Sequence, residues 1–118
     1  HRGTATQTLA GAQALLKLVD LPNVVCYWQP NPDISQEERL EEIQGLLPWL
    51  SHVHVFAWTG ANIRHPLAEG EPEWTQYLSR IQQAPGERSL LMEFVRDDSP
   101  EAFLQDAAVL RHWVEAWN

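Results

Sequence analysis

The feature that most constrains the fold is the alternation of helix-like and strand-like segments along the chain. Apolar residues at helical spacing predict four helices, over residues 4–20, 35–47, 73–83 and 99–117. Between them, runs of β-branched and aromatic residues predict three strands, over residues 24–28, 51–58 and 89–95. Strands that alternate with helices imply right-handed crossovers and a parallel sheet. The sequence therefore predicts an α/β fold.

Local capping signals indicate where two of these helices begin. Ser35 and Glu38 have the spacing of a capping box, in which each side chain bonds to the backbone N–H of the other residue. Ser99 before Pro100 is typical of a helix start, because proline is tolerated at the first helical position. On the last helix, the apolar stripe predicts that Phe103, Leu104 and Trp113 face inward.

Composition and charge argue against several classes of partner. The net charge is −8, and the eight Lys and Arg residues are scattered, which disfavours binding to nucleic acid and to anionic membranes. The sequence has no apolar run approaching the roughly 20 residues that span a bilayer. Cys26 is the single cysteine, so no internal disulfide is expected and a reducing cytoplasm is the predicted location.

Three parallel strands make a poor domain by themselves, because such sheets need both faces covered. The first predicted helix has no strand before it, so we expect residues 1–118 to be part of a larger domain. We expect one sheet edge to be unpaired and one sheet face to be uncovered, and both features favour self-association. The side chains expected on that uncovered face are Tyr27, His52, Phe56, Leu91 and Val95.

The candidate functional residues lie toward the carboxyl ends of the predicted strands, where parallel α/β folds bind ligands. Gln29, His54 and Glu93 belong to three different strands and share the parity that faces one side. An imidazole, a carboxylate and an amide oxygen that converge in this way would ligate a divalent cation. The spacing is long, so this set depends on the predicted fold.

Structural interpretations compete with functional ones at several positions. His52 is better explained as a core histidine bonded to a neighbour than as a ligand. Trp28, Trp74 and Trp113 are better explained by packing between sheet and helices than by contact with a sugar. For Trp58, at a predicted strand end, the packing and substrate-binding interpretations are equally supported.

Four segments together resemble a known family. They are residues 21–30 (LPNVVCYWQP), 47–58 (LPWLSHVHVFAW), 64–71 (RHPLAEGE) and 89–95 (SLLMEFV). In this order they look like the last three βα units of the xylose-isomerase-like TIM-barrel superfamily of sugar phosphate isomerases and epimerases. The resemblance spans nearly the whole chain. It implies a partial (β/α)8 TIM barrel, with residues 1–118 as the C-terminal part of a single barrel domain.

The resemblance also implies a metal site. In that family, Glu, Asp, His and Glu from the last four strands hold a divalent metal, and two glutamates act as acid/base groups. His54 matches the family histidine, and Glu93 matches the final glutamate, which makes Glu93 the implied catalytic residue. Gln29 stands where the family usually has Asp, and the first Glu would precede His1. The implied cofactor is Mn, Mg, Co or Zn, held by His54, Glu93 and Gln29.

Four further residues are implied to lie near the substrate at the mouth of the barrel, namely His1, Trp58, Arg64 and Arg96. The implied function is a metal-dependent isomerase or epimerase of carbohydrate metabolism. Its substrate would be a small sugar or hydroxy-carbonyl compound, and its reaction a proton transfer beside the carbonyl. A non-catalytic carbohydrate-binding or regulatory barrel is the alternative, and Gln29 is its main support. A related DNA-repair endonuclease is disfavoured by the acidic charge.

Overall fold

The secondary structure follows the predicted alternation. A computed structural model describes residues 3–60 and 63–116. The helices are α1 (Leu9–Val19), α2 (Gln36–Leu46), α3 (Glu71–Ile81) and α4 (Pro100–Ala116). The strands are β1 (Cys26–Trp28), β2 (Leu50–Val55), β3 (Trp58–Thr59), β4 (Ile63–Arg64) and β5 (Ser89–Met92). A short 3-10 turn, Leu67–Gly70, precedes α3, and a tight turn at Arg96–Asp98 precedes α4.

Strands β1, β2 and β5 form the central sheet in that order, and both pairings are parallel. This confirms the predicted α/β class and the predicted order of the three main strands. The register sets Tyr27 beside His52, and His54 beside Leu91. Strands β3 and β4 form a separate antiparallel hairpin directly after β2, which the sequence patterns did not predict.

One face of the sheet is covered by helices. Val53 and Val55 of β2 are almost completely buried there, together with Trp28 of β1. All four helices contribute side chains to this core, including Leu16 and Trp113. The other side chains buried in it are Ile43, Leu46, Leu47, Leu50, Leu67, Trp74, Tyr77, Leu78 and Ile81. Burial of this apolar area is the main favourable term that holds the sheet and helices together.

The predicted helix starts are confirmed at the level of individual hydrogen bonds. The Ser35 hydroxyl accepts from the Glu38 backbone N–H at 3.2 Å, and the Glu38 carboxylate accepts from the Ser35 N–H at 2.8 Å. The Ser99 hydroxyl accepts from the Ala102 N–H at 3.0 Å. Helix α1 begins at Leu9 instead of residue 4, because the Thr8 side chain caps it by accepting from the Gly11 N–H.

The predicted second strand, 51–58, is too long at its carboxyl end. Strand β2 ends at Val55, since the chain turns into the hairpin and the Ala57 carbonyl accepts from the His65 N–H. Phe56 is therefore only 6% exposed and stacks on Trp58, so its predicted place on the uncovered face was wrong. The third predicted strand, 89–95, also ends early, at Met92.

The inward face predicted for α4 was wrong at two positions. Phe103 and Leu104 are exposed, whereas Ala102, Asp106 and Trp113 are buried. The reason is the Asp106 carboxylate, which accepts the Leu67 backbone N–H at 2.9 Å and so faces the interior. The predicted end of this helix, at 117, lies outside the described residues. None of the helices in residues 3–60 and 63–116 is long and apolar enough to cross a membrane.

Candidate functional site

The sheet face opposite the helices carries aromatic and titratable side chains. The Tyr27 ring stacks on the His54 ring with centroids 4.5 Å apart, and its centroid is 5.8 Å from that of His52. Leu91 is next to His54 in the register and is exposed. Among the described residues, none of these four side chains belongs to the helix-covered core. We call this surface, defined by Tyr27, His52, His54, Leu91 and Glu93, the open face.

Glu93 approaches His54 at the carboxyl end of β5. The Glu93 backbone N–H donates to the Val55 carbonyl at 3.1 Å, so the chain is still paired with β2 at this point. Glu93 Oε2 lies 3.5 Å from His54 Nδ1, and each side chain is about one-quarter exposed. Extending the parallel register by one residue beyond the Trp28–Val53 pair sets Gln29 beside His54. The sheet thus brings the three sequence-predicted ligands to adjacent positions.

One buried polar atom in each of these three residues lacks a hydrogen-bond partner. Gln29 Oε1, His54 Nδ1 and Glu93 Oε2 are buried, and within the described part of the chain none has a hydrogen-bond partner. The 3.5 Å separation between His54 and Glu93 is too long for a good N–H···O bond, so this ion pair does not satisfy either atom. Buried polar atoms without partners are costly and call for an explanation.

The separation of two of these atoms suits a divalent cation. Ligand atoms about 2.1 Å from a tetrahedral cation lie about 3.4 Å from each other, which is close to the observed separation of Nδ1 and Oε2. An imidazole, a carboxylate and an amide oxygen also match the donor chemistry of Mn, Co or Zn. However, no group of three His, Cys, Asp or Glu side chains suited to a metal occurs in residues 3–60 and 63–116. The candidate set contains two such side chains and depends on Gln29 for its third ligand.

The residues predicted to contact substrate are already engaged in contacts within the protein. Trp58 stacks on Phe56 at 4.1 Å, and its indole N–H donates to the Phe94 carbonyl at 3.3 Å. Arg64 donates to the Val95 carbonyl and to the Asp98 carboxylate. Arg96 makes an exposed ion pair with Asp97, its sequence neighbour. His1 lies outside the described residues.

The alternative interpretations of other aromatic residues also have structural outcomes. Trp28, Trp74 and Trp113 are buried in the core, as the packing interpretation predicted. His52 Nδ1 and the hydroxyl of Ser51 form a 2.7 Å hydrogen bond, as expected for a histidine bonded to its neighbour, but His52 lies on the open face and outside the helix-covered core. Burial raises the pKa of the Cys26 thiol to about 11, so this group stays protonated and unreactive at neutral pH.

The sequence interpretation missed a chain of side-chain contacts at the β3–β4 hairpin. His65 Nε2 lies 2.7 Å from the Thr59 hydroxyl, and His65 Nδ1 lies 3.4 Å from Glu69 Oε2. All three residues line a pocket of about 380 Å³ together with Trp58 and Trp74. The four-residue spacing of His65 and Glu69 was the only available signal. Glu69 and Thr59 are both exposed, so water reaches both ends of this chain of contacts.

A second groove lies between α1 and β1. It has a volume of about 480 Å³, and its lining is mainly apolar, with Leu9, Leu15 and Leu16 from the helix. Val25 and Cys26 line it from the side of the sheet. Within the described residues, β1 pairs only with β2, so the backbone groups of its other edge face this groove.

Comparisons of the chain with protein-family models, with curated proteins and with solved structures found no match.

Proposed function

We propose that this chain supplies part of the active site of a metal-dependent isomerase or epimerase that acts on a small sugar or related hydroxy-carbonyl compound. The observation that carries the proposal is the set of three unpartnered, buried ligand-type atoms at the carboxyl ends of adjacent strands, Gln29 Oε1, His54 Nδ1 and Glu93 Oε2. A buried polar atom without a partner calls for an explanation, and a bound ligand that completes its bonding is one. The location near the carboxyl ends of parallel strands supports the same conclusion.

In the proposed reaction, Glu93 removes a proton from the carbon beside the substrate carbonyl. Gln29, His54 and Glu93 Oε2 would bind the cation. Glu93 Oε1 is the proton acceptor. A bound divalent cation would supply positive charge next to the negative charge that develops on the substrate oxygen. The Tyr27 ring, stacked on His54, fixes the orientation of the imidazole. A second acid/base group is needed to return the proton on the other face of the substrate.

A non-catalytic carbohydrate-binding or regulatory protein is the second candidate function. Gln29 favours it, because a neutral amide is a weaker metal ligand than a carboxylate and gives the site one negative charge fewer. In that case, His54 and Glu93 would bond to the hydroxyl groups of a bound sugar. The two proposals differ in whether a metal ion is required.

Titration with Co²⁺, followed by visible absorption, tests the metal proposal. The intact chain should bind the ion, and His54→Ala should weaken binding at least about tenfold, which corresponds to about 1.4 kcal/mol. His52→Ala is the matched control, since His52 lies on the same face and is already bonded to Ser51. An unchanged affinity in His54→Ala would favour the non-catalytic alternative.

We also propose that the fold is an arc of a (β/α)8 barrel, located in the cytoplasm, and that the chain associates with copies of itself. The uncovered Leu91 and the apolar groove beside β1 support association, because apolar burial is worth roughly 25 cal/mol per Å². Sedimentation velocity should detect dimers or larger species at micromolar concentration. Val25→Lys, directly before β1 and in the lining of this groove, should reduce them. A compact monomer of the unaltered chain would contradict this proposal.

A further inference from the structure

The chain takes a strained path directly after Glu93. Phe94, Asp97 and Asp98 all have left-handed backbone conformations, with φ of 44°, 57° and 49°. Aspartate tolerates this region, but a bulky residue such as phenylalanine rarely adopts it, because its Cβ approaches the backbone too closely. Such conformations persist only where the surroundings hold them. We call residues 94–98 the strained segment.

The β3–β4 hairpin holds this segment through three hydrogen bonds. Trp58 Nε1 donates to the Phe94 carbonyl at 3.3 Å. Arg64 Nη1 donates to the Val95 carbonyl at 3.2 Å and to the Asp98 carboxylate at 2.5 Å. The guanidinium carbon also lies 5.1 Å from the centroid of the Phe94 ring, within the range of a cation–π contact. One arginine therefore contacts the segment at three of its five residues.

We infer that Arg64 and Trp58 are positioning residues, which hold the strained segment and thereby fix the Glu93 carboxylate against His54. The Glu93 backbone is anchored to Val55 on one side and enters the left-handed turn at Phe94 on the other. If the turn relaxes, the direction of the Glu93 side chain changes, and displacements of about 1 Å already impair a reactive site. The inference rests on the proposed function, because it gives these residues a role in the same site.

The first test is Co²⁺ binding by Arg64→Ala in the full chain. We expect affinity to fall about tenfold, and the absorption spectrum of the residual complex should resemble that of Glu93→Gln. Arg64→Lys should be intermediate, since lysine keeps the charge near Asp98 but lacks the planar group that stacks on Phe94. Arg80→Ala is the control, because Arg80 also links two elements, through a 3.4 Å hydrogen bond to Gln44. Wild-type affinity and spectrum in Arg64→Ala would overturn the inference.

A second substitution separates positioning from general destabilisation. Glycine adopts the φ of 44° at position 94 without strain, so Phe94→Gly removes the strain that Arg64 is inferred to hold in place. We expect the double variant Arg64→Ala/Phe94→Gly to recover Co²⁺ affinity to within about threefold of wild type. A double variant that binds as weakly as Arg64→Ala would show that strain is not what Arg64 controls.

Nitrogen-15 NMR of the His54 ring distinguishes failure of this inference from failure of the proposed function. If the unaltered chain binds no Co²⁺, the proposed function fails. The positioning role of Arg64 still predicts a change in the metal-free protein. Arg64→Ala should shift the His54 ring resonances in the same direction as Glu93→Gln, whereas Arg80→Ala should leave them in place. Unshifted His54 resonances in Arg64→Ala would overturn the positioning role.

Discussion

The two faces of the central sheet differ in how their side chains are used. On the helix-covered face, Val53 and Val55 are buried among side chains from all four helices. On the open face, Tyr27, His54 and Leu91 contact neighbouring strands and solvent. Both faces come from the same three strands, since successive residues point to opposite sides. The alternation along β2 thus separates the residues that hold the fold from those proposed to do the chemistry.

The two faces also differ at particular polar atoms, although the buried Nε2 of Gln36, on α2, lacks a partner as well. On the covered side, the Trp74 indole donates to the Phe56 carbonyl at 2.8 Å, and Asp106 accepts the Leu67 N–H at 2.9 Å. On the open face, buried atoms of His54 and Glu93 have no hydrogen-bond partner. A buried polar atom without a hydrogen-bond partner costs free energy, so these atoms on the open face lower the stability of the folded chain. That cost is what a ligand would relieve.

Truncation of Trp74 should have the largest effect on stability. Trp74→Ala removes a buried ring that contacts Trp28, Tyr77 and Trp113, together with its hydrogen bond to Phe56. We expect a loss of about 3–5 kcal/mol in the free energy of unfolding, measured by urea denaturation. Leu104→Ala, at a position 67% exposed, should change stability by less than about 0.5 kcal/mol. Similar losses in both variants would mean that the covered face is not the core.

Removal of the Asp106 carboxylate should have the next largest effect. Asp106→Ala leaves the Leu67 N–H buried without its partner, which should cost about 1–3 kcal/mol. Asp106→Asn keeps an acceptor oxygen and should recover part of that loss. An Ala variant as stable as wild type would remove the contrast between paired and unpaired polar atoms.

Element order and sheet topology could be predicted from the sequence because they depend on local patterns. Short apolar runs between amphipathic helices imply parallel pairing, and the capping box at Ser35 has a signature that involves only four residues. The adjacent positions of Gln29, His54 and Glu93 followed from strand parity and that topology. These features need no knowledge of how distant residues pack.

The features of the fold that the sequence did not predict depend on contacts between distant residues. Helix α4 is rotated by the bond from Asp106 to Leu67, which are 39 residues apart, and helical periodicity alone favoured Phe103 and Leu104 instead. The β3–β4 hairpin interrupts an alternating pattern that continues beyond β2 in sequence. The engagement of Arg64 with Val95 and Asp98 likewise has no local signal.

Replacement of both unpaired partners on the open face should have a smaller effect on stability than either variant above. The double variant His54→Leu/Glu93→Leu removes two unsatisfied buried atoms and substitutes apolar groups. Replacing both partners in this way is close to neutral or stabilising, so we expect unfolding free energy within about 1 kcal/mol of wild type, or above it. Wild type and variant are compared at one protein concentration, because association also stabilises. A loss as large as that of Asp106→Ala would show that the pair supports the fold.

The smallest expected effect is a change in pH dependence on the covered side, at Glu42. Burial raises the pKa of the Glu42 carboxyl above its usual range, although the hydrogen bond from the Trp28 indole opposes this. The folded state therefore keeps this proton at pH values where the unfolded chain has released it. Its contribution to stability is fully present below the usual carboxyl pKa of 4.5 and is lost as pH rises through the higher folded value.

Glu42→Gln keeps an acceptor for Trp28 but cannot titrate, so its unfolding free energy relative to wild type should increase between about pH 4 and about pH 7. Glu41→Gln, on the exposed side of the same helix, is the control, and urea denaturation at several pH values is the measurement. A stability difference between Glu42→Gln and wild type that stays constant with pH would mean that this carboxyl is not desolvated, and that the covered face is wetter at α2 than its packing indicates.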